Sequence, residues 1–274
     1  MQSFKTIPVL VTGAGRGIGK RLAMGFATQG ARVGLLARSK PELDLCNLEI
    51  EHAGGNALRI RADVADYEQV AASIERMRVQ FGSAPQVLVC AAGTLGHPGP
   101  FVESSTKAWN EIIQTNLIGV MNACRAVLPD MVQRRKGKII VLTGGQGSQA
   151  RPNFALYAAT KAAIVSFVES VAEEVRDQNV QINCMSPGAS YTHMTDQILS
   201  AGERAGWKEV EDAQHVRLTG GIPADKQIEL ALFLGSEASN HISGRLIHVL
   251  DDWKRLREST VKPELYTLRR VQKI

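Results

Sequence analysis

Seven short apolar runs rich in valine, isoleucine and leucine recur along the 274-residue chain, several of them apolar at successive positions and not at alternate ones. They fall at residues 9–11, 33–36, 58–60, 87–89, 139–142, 182–185 and 246–249. A strand with one wet face alternates apolar and polar side chains, whereas one that is apolar throughout is covered on both faces. The intervening segments, among them 19–29, 66–81, 106–133 and 157–178, are long enough for helices. Strands buried on both sides and separated by helices predict an α/β fold, a parallel sheet with helices packed against both faces. Pro8 is compatible with this because it opens the first strand and does not interrupt it.

Nothing in the middle of the chain reads as a linker, so residues 1–250 are expected to form a single domain, followed by a C-terminal extension at 251–274. A glycine-containing segment of mixed polarity, 191–220, interrupts the pattern and reads as a helical insertion. The extension is polar with three large anchors, Trp253, Leu256 and Tyr266. The net charge of +5 does not point to nucleic acid, since the basic residues are scattered until Lys254 and no aromatic-interleaved basic motif accompanies them. Cys46, Cys90, Cys124 and Cys184 make no CxxC pair, which suits a reducing compartment. No apolar stretch approaches the ~20 residues of a membrane span, and the first strand begins too early for a signal peptide. A cytoplasmic protein with no metal, membrane or nucleic-acid partner is expected.

The first strand runs directly into Thr12-Gly13-Ala14-Gly15-Arg16-Gly17-Ile18-Gly19 and then a helix-forming segment. Glycines at this turn permit a tight bend and let backbone amides approach a pyrophosphate, which the helix N-terminus also attracts. This predicts a dinucleotide site in a Rossmann-type, doubly wound sheet. About twenty residues further on, a site for NAD offers an acidic side chain to the adenosine ribose. Here the chain has Ala37-Arg38-Ser39-Lys40. A guanidinium at that place suits a 2′-phosphate, with Arg16 as a second cation, and favours NADP(H). The other reading of Arg38 and Lys40 is a solvated helix start.

Tyr157 and Lys161 are four residues apart on a helix and therefore share a face. A phenol is too weak an acid for proton transfer near neutrality, and a neighbouring cation lowers its pKa. The two residues are expected to be the centre of the chemistry.

These segments, with others in order between them, resemble the short-chain dehydrogenase/reductase family across roughly residues 5 to 250. The glycine loop resembles TGxxxGxG, Asp63-Val64 the pair that contacts adenine, and Cys90-Ala91-Ala92-Gly93 the NNAG turn. Asn116, the YxxxK segment and Pro187-Gly188-Ala189-Ser190-Tyr191-Thr192, similar to PGxxxT, complete the series. The resemblance implies hydride transfer between a nicotinamide and a ketone or secondary alcohol. Tyr157 would carry the proton, Lys161 would hold the ribose, Asn116 would anchor a relay water and Thr192 would touch the carboxamide region. Asn116 could instead cap a helix bend, and Asp63 a helix. The resemblance also implies a homodimer or homotetramer built on the long helices; Ala159, Ala163, Phe167 and Val171 recur at four-residue steps on the second of these and could equally face the sheet.

The chain departs from the family at the position thirteen residues before the tyrosine, where a serine hydroxyl is usual and Gly144 stands. Thr143 is a poor replacement if it continues the strand, because adjacent strand residues face opposite ways. Gln146 and Ser148 are therefore expected at the substrate, with His193 and Trp207 from the insertion. Sugars, cyclitols and secondary-metabolite intermediates are the expected substrates. A 3-oxoacyl-type ketoreductase, or an NADP-binding regulatory or scaffold protein with weakened catalysis, are the alternatives.

Overall fold

The computed structural model describes residues 3–144, 149–257 and 266–268. Among them the seven apolar runs are all strands: β1 (Pro8–Thr12), β2 (Arg32–Ala37), β3 (Asn56–Arg61), β4 (Val87–Cys90), β5 (Gly137–Leu142), β6 (Val180–Ser186) and β7 (Leu246–His248). They form one sheet in the order β3-β2-β1-β4-β5-β6-β7, with each neighbouring pair parallel. The chain builds outward from β1 to β3 and then crosses back to lay β4 on the other side of β1. Connections therefore diverge beyond Thr12 and Cys90, which are partners in register, and a crevice opens at that point.

Nine helices connect the described strands: α1 (Gly17–Thr28), α2 (Lys40–His52), α3 (Tyr67–Phe81), α4 (Thr106–Ile113), α5 (Gly119–Gln133), α6 (Ala155–Glu174), α7 (His193–Ala201), α8 (Trp207–Thr219) and α9 (Ala224–Leu234). Val9 and Val11 of β1 enter a core under α1, α2 and α9, while Leu10 enters a second core under α3, α5 and α6. Both sheet faces are thus buried, which is why the central strands β1, β4 and β5 read as unbroken apolar runs. Local signals set the helix ends. Ser39 accepts from the Glu42 amide at 3.5 Å to start α2, Asp66 accepts from Gln69 at 3.1 Å to start α3, and Gly82 at φ 76° ends α3.

Two features differ from the sequence expectation. Residues 106–133 are not one helix: a single wide π turn, Gln114–Ile118, separates α4 from α5. An apolar stretch long enough to cross a membrane does exist among the described residues, since α6 has 20 residues and a mean hydropathy of 1.3 over its most apolar window. It packs Ile164, Val165 and Val168 onto the sheet and carries Lys161. Of the four-residue series on α6, Val171 is buried in the sheet-facing core, whereas Ala159 is exposed.

The 191–220 insertion is α7 and α8, closed at its base by a bridge between Ser190 and Gly221. It shares a third, smaller core with Leu95, Phe154 and Tyr157. Part of the C-terminal extension lies on the domain: the Trp253 ring stacks on Phe233 at 5.2 Å, and the Leu246 amide donates to the Tyr266 carbonyl at 2.7 Å.

Candidate active site

A cleft of about 520 Å³ opens over the carboxyl ends of the strands, from the glycine loop at one end to Tyr157 and Lys161 at the other. The loop is close-packed. A Cβ at Gly13 would lie 2.7 Å from the Ala92 backbone, and one at Gly19 would lie 2.3 Å from the Gly13 carbonyl oxygen. Gly13 and Gly17 also have φ of +67° and +58°, which side chains rarely adopt. Thr12 holds the facing turn in place, its hydroxyl accepting from the Ala91 and Ala92 amides at 3.1 and 3.2 Å. The result is a bare backbone surface at the start of α1, shaped for a phosphate group.

At the adenosine end, Arg38 follows β2 and Asp63-Val64 follow β3. The Arg38 guanidinium is 3.7 Å from the Asp63 carboxylate and remains 69% exposed, a loose pair that is easily opened. Arg16 pairs with Glu42 at 3.2 Å, also at the surface. Asp63 is not the helix cap: that role belongs to Asp66, and Asp63 accepts instead from the Ala65 amide at 3.0 Å. Val64 is buried, its carbonyl held by Asn122 at 2.9 Å.

At the inner end, Tyr157 and Lys161 are 8% and 5% exposed. The Lys161 ammonium donates to the Leu142 carbonyl at 3.0 Å and lies 5.6 Å from the Tyr157 ring centre. Burial lowers the Lys161 ammonium to about 8. Burial raises the Tyr157 phenol above its ordinary value, and the cation opposing that rise is Arg151. The sequence expectation of a lowered phenol is corrected here: the inner end is enclosed, and desolvation outweighs the positive charge.

Asn116 is fully buried in the π turn. Its Oδ1 accepts from the Thr94 amide at 2.8 Å, while Nδ2 donates to the Thr94 carbonyl at 2.9 Å and the Thr160 hydroxyl at 3.3 Å. A Cβ at Gly93 would lie 3.5 Å from Asn116 Oδ1 and 3.9 Å from Lys161 Nζ, so this glycine keeps the space between them open.

A family model described as short chain dehydrogenase matches residues 8–202. The chain belongs to the short-chain dehydrogenases. This dehydrogenase is 33% identical over 245 residues to the 3-oxoacyl-(acyl-carrier-protein) reductase FabG of Staphylococcus aureus, covering 89% of this chain and 96% of that one. Among solved structures it is similar to a gluconate 5-dehydrogenase from Burkholderia cenocepacia in complex with NADP and tartrate, with a TM-score of 0.79 and 28% identity, over 90% of this chain and 94% of that one. It is also similar to a 3-oxoacyl-(acyl-carrier protein) reductase with bound NAD from Brucella melitensis, with a TM-score of 0.76 and 29% identity, over 90% of each.

The dehydrogenase's cleft brings together most of the residues singled out in the sequence. Gly13, Gly15, Arg16, Gly17, Ile18, Gly19, Arg38, Asp63, Val64, Ala92, Gly93, Tyr157, Lys161, Pro187, Thr192 and His193 all line it. Others stand elsewhere. Trp207 is 78% exposed at the start of α8 and does not line the cleft, because the phase of that helix turns Ala213 and Val216 inward. Gly188 lies behind the wall, where a Cβ would be 2.6 Å from Ile222. Gln146 and Ser148 fall outside the described residues. Gly144 follows Thr143, which does line the cleft although sequence reasoning set it aside. Thr143 and Ser186 each have a buried hydroxyl oxygen without a hydrogen-bond partner. Cys90 is held protonated by Cys124 and by burial, so it is a packing residue and not a nucleophile.

Sequence reasoning missed Glu42 and Arg151. Glu42 had a signal, since the third residue of α2 points back toward the N-terminus of the helix, here toward Gly15. Arg151 had none, because its partner Glu209 is 58 residues away.

Proposed function

We propose that this short-chain dehydrogenase interconverts a ketone and a secondary alcohol with NADP(H). One observation carries the reading: a buried phenol and ammonium, one helical turn apart, occupy the inner end of the cleft whose outer end is the glycine cradle. When bound, the nicotinamide supplies or accepts the hydride. The backbone from Gly13 to Gly19 cradles the pyrophosphate, Asp63 and Val64 border the adenine, and Ala92 and Gly93 give the ribose its space. Pro187 and Thr192 shape the nicotinamide end, with Gly188 packed behind them.

In reduction Tyr157 gives its proton to the carbonyl oxygen, and in oxidation it recovers that proton from the alcohol. Lys161, held by the Leu142 carbonyl, keeps a positive charge beside the phenol and binds the ribose. Asn116 fixes Thr94 and the π turn beside Lys161, which places the relay.

Preference for NADP(H) is supported by Arg38 at the end of β2, where NAD sites carry an acid, and by the looseness of its pair with Asp63. The relatives do not decide it, since one solved structure holds NADP and another NAD. Thr94, Thr143, His193 and Gln197 give the cleft polar positions suited to a hydroxylated substrate such as a keto-sugar, cyclitol or polar secondary metabolite. The match to 3-oxoacyl reductases favours a second reading, an acyl-thioester ketone. Four free, buried cysteines suit a reducing cytosol. Association as a dimer or tetramer through α4, α5 and the outer side of α6 is part of the same reading.

The test is oxidation of NADPH and NADH with keto-sugars, keto-cyclitols, diketones and 3-oxoacyl thioesters. Turnover of at least one keto-sugar or cyclitol, with NADPH preferred, is expected. Turnover confined to thioesters selects the second reading, and none with any carbonyl refutes the enzyme assignment.

A further inference from the structure

Arg151 lies just before α6, 11% exposed, with its guanidinium carbon 4.1 Å from the Phe154 ring centre and 5.7 Å from that of Tyr157. Its Nε and Nη2 donate to the two carboxylate oxygens of Glu209 on α8, at 2.7 and 2.6 Å. A planar fork gripped at both prongs and stacked on a ring has little freedom. The surrounding seam is stitched in the same direction. Asn153, at φ 66°, donates from Nδ2 to the Ala205 carbonyl at 3.2 Å, and Phe154 and Tyr157 share a buried cluster with Ala205 and Ala213. The segment that leads into the catalytic helix and the segment that leads into α8 thus form one packed unit.

We propose that Arg151 is a positioning residue that carries the state of α8 to the catalytic phenol: gripped by Glu209, it stands over Tyr157 only while α8 is docked. The proposal rests on the reading of Tyr157 as the proton carrier. It adds a link between the α7–α8 insertion and the group that performs the proton transfer. The charged and titratable groups around the phenol are few. Lys161 lies on the same helix, the Cys90 and Cys184 thiols lie beneath that lysine, His193 lines the cleft on α7, and Glu209 acts through Arg151. Burial pushes the phenol up and Arg151 opposes it, so an open α8 leaves the phenol without that opposing charge. Proton transfer then becomes matched to a closed site, the state in which water is excluded.

Fluorotyrosine placed at position 157 and followed by fluorine NMR reads the phenol directly, without substrate or turnover. Arg151→Gln is expected to raise its pKa by about one unit, and Glu209→Gln to lower it, because the first removes the cation and the second its counter-charge. Arg151→Lys keeps the charge and is expected to stay within about 0.3 units of the parent. General loosening of the seam would act differently, lowering all three toward the free-phenol value as burial is lost. If Arg151→Gln does not fold, Arg151→Lys still separates the two cases, since it leaves the phenol unchanged under the proposal and lowers it under loosening. Shifts of one sign in all variants, or no shift in any, overturn the proposal while leaving the role of Tyr157 standing. That role has its own test, since a fully active Tyr157→Phe enzyme would remove it whatever the fluorine signal shows.

Discussion

Thr143 and Lys138 are both buried more deeply than their polar groups favour. Thr143 lines the cleft, and its hydroxyl oxygen is buried without a hydrogen-bond partner, a situation that costs roughly 1–3 kcal/mol. Thr143→Val is therefore expected to raise the melting temperature while lowering turnover by about tenfold or more, as loss of a donor to the substrate oxygen does. Unchanged turnover would show the hydroxyl to be idle. Lys138 lies on the other side of the molecule's chemistry, at the start of β5, where its ammonium donates to Ser239 at 3.2 Å. Burial lowers it from 10.5 to about 7, with Glu237 opposing the shift. Between those values the unfolded chain holds a proton that the folded one lacks, so the contribution of Lys138 to stability rises with pH. Its penalty is full below about pH 7. Lys138→Met should raise the urea midpoint at about pH 6 and change it little at about pH 10, and an equal gain at both would contradict this. Neither residue was legible as special in the sequence. A threonine after a strand and a lysine inside one reveal their burial only when neighbouring elements are in place.

The π turn between α4 and α5 shows the limit of reading elements from periodicity. One extra residue in a helical turn rotates the face that follows by about 100°, yet Gln114–Ile118 holds no glycine or proline to mark a break, so residues 106–133 read as a continuous helix. What the turn achieves depends on Gly119, where a Cβ would lie 2.6 Å from a Val64 methyl. Gly119→Ala is expected to destabilise the protein by about 1–3 kcal/mol and to weaken cofactor binding severalfold, because Val64 lines the adenosine end. Equilibrium unfolding and a fluorescence titration with NADPH check the two effects. The insertion was legible as helical but not in its phase: Trp207 was expected at the substrate because it lies in that insertion, yet α8 turns it to solvent. The central strands were legible because burial on both faces leaves unbroken apolar runs in β1, β4 and β5, while the edge strand β3 shows only Leu58 and Ile60 about an arginine. The Tyr157–Lys161 pair was legible because its geometry is local to one helix, whereas the Arg151–Glu209 pair required the tertiary fold.

At the scale of the whole molecule, the strand order explains why one cleft serves both cofactor and catalysis. Reversal between β1 and β4 places the glycine loop beside the Ala92-Gly93 turn, and β5 and β6 bring Leu142 and Pro187 to the same edge. Coenzyme choice is then decided at the β2 end of that edge. Arg38→Asp is expected to weaken NADPH binding at least about tenfold and to improve NADH binding, as loss of a charge-assisted phosphate contact and gain of a ribose acceptor require. Equal weakening for both coenzymes would place the selectivity elsewhere. The central claim is that the cleft binds the coenzyme and that Tyr157 moves the proton within it. The most direct measurement compares wild type and Tyr157→Phe in a single turnover of bound NADPH with the best carbonyl found. NADPH affinity is expected to agree within about threefold, while hydride transfer falls by roughly 10²–10⁴, the usual contribution of a positioned acid. Equal transfer rates in the two proteins would contradict the account.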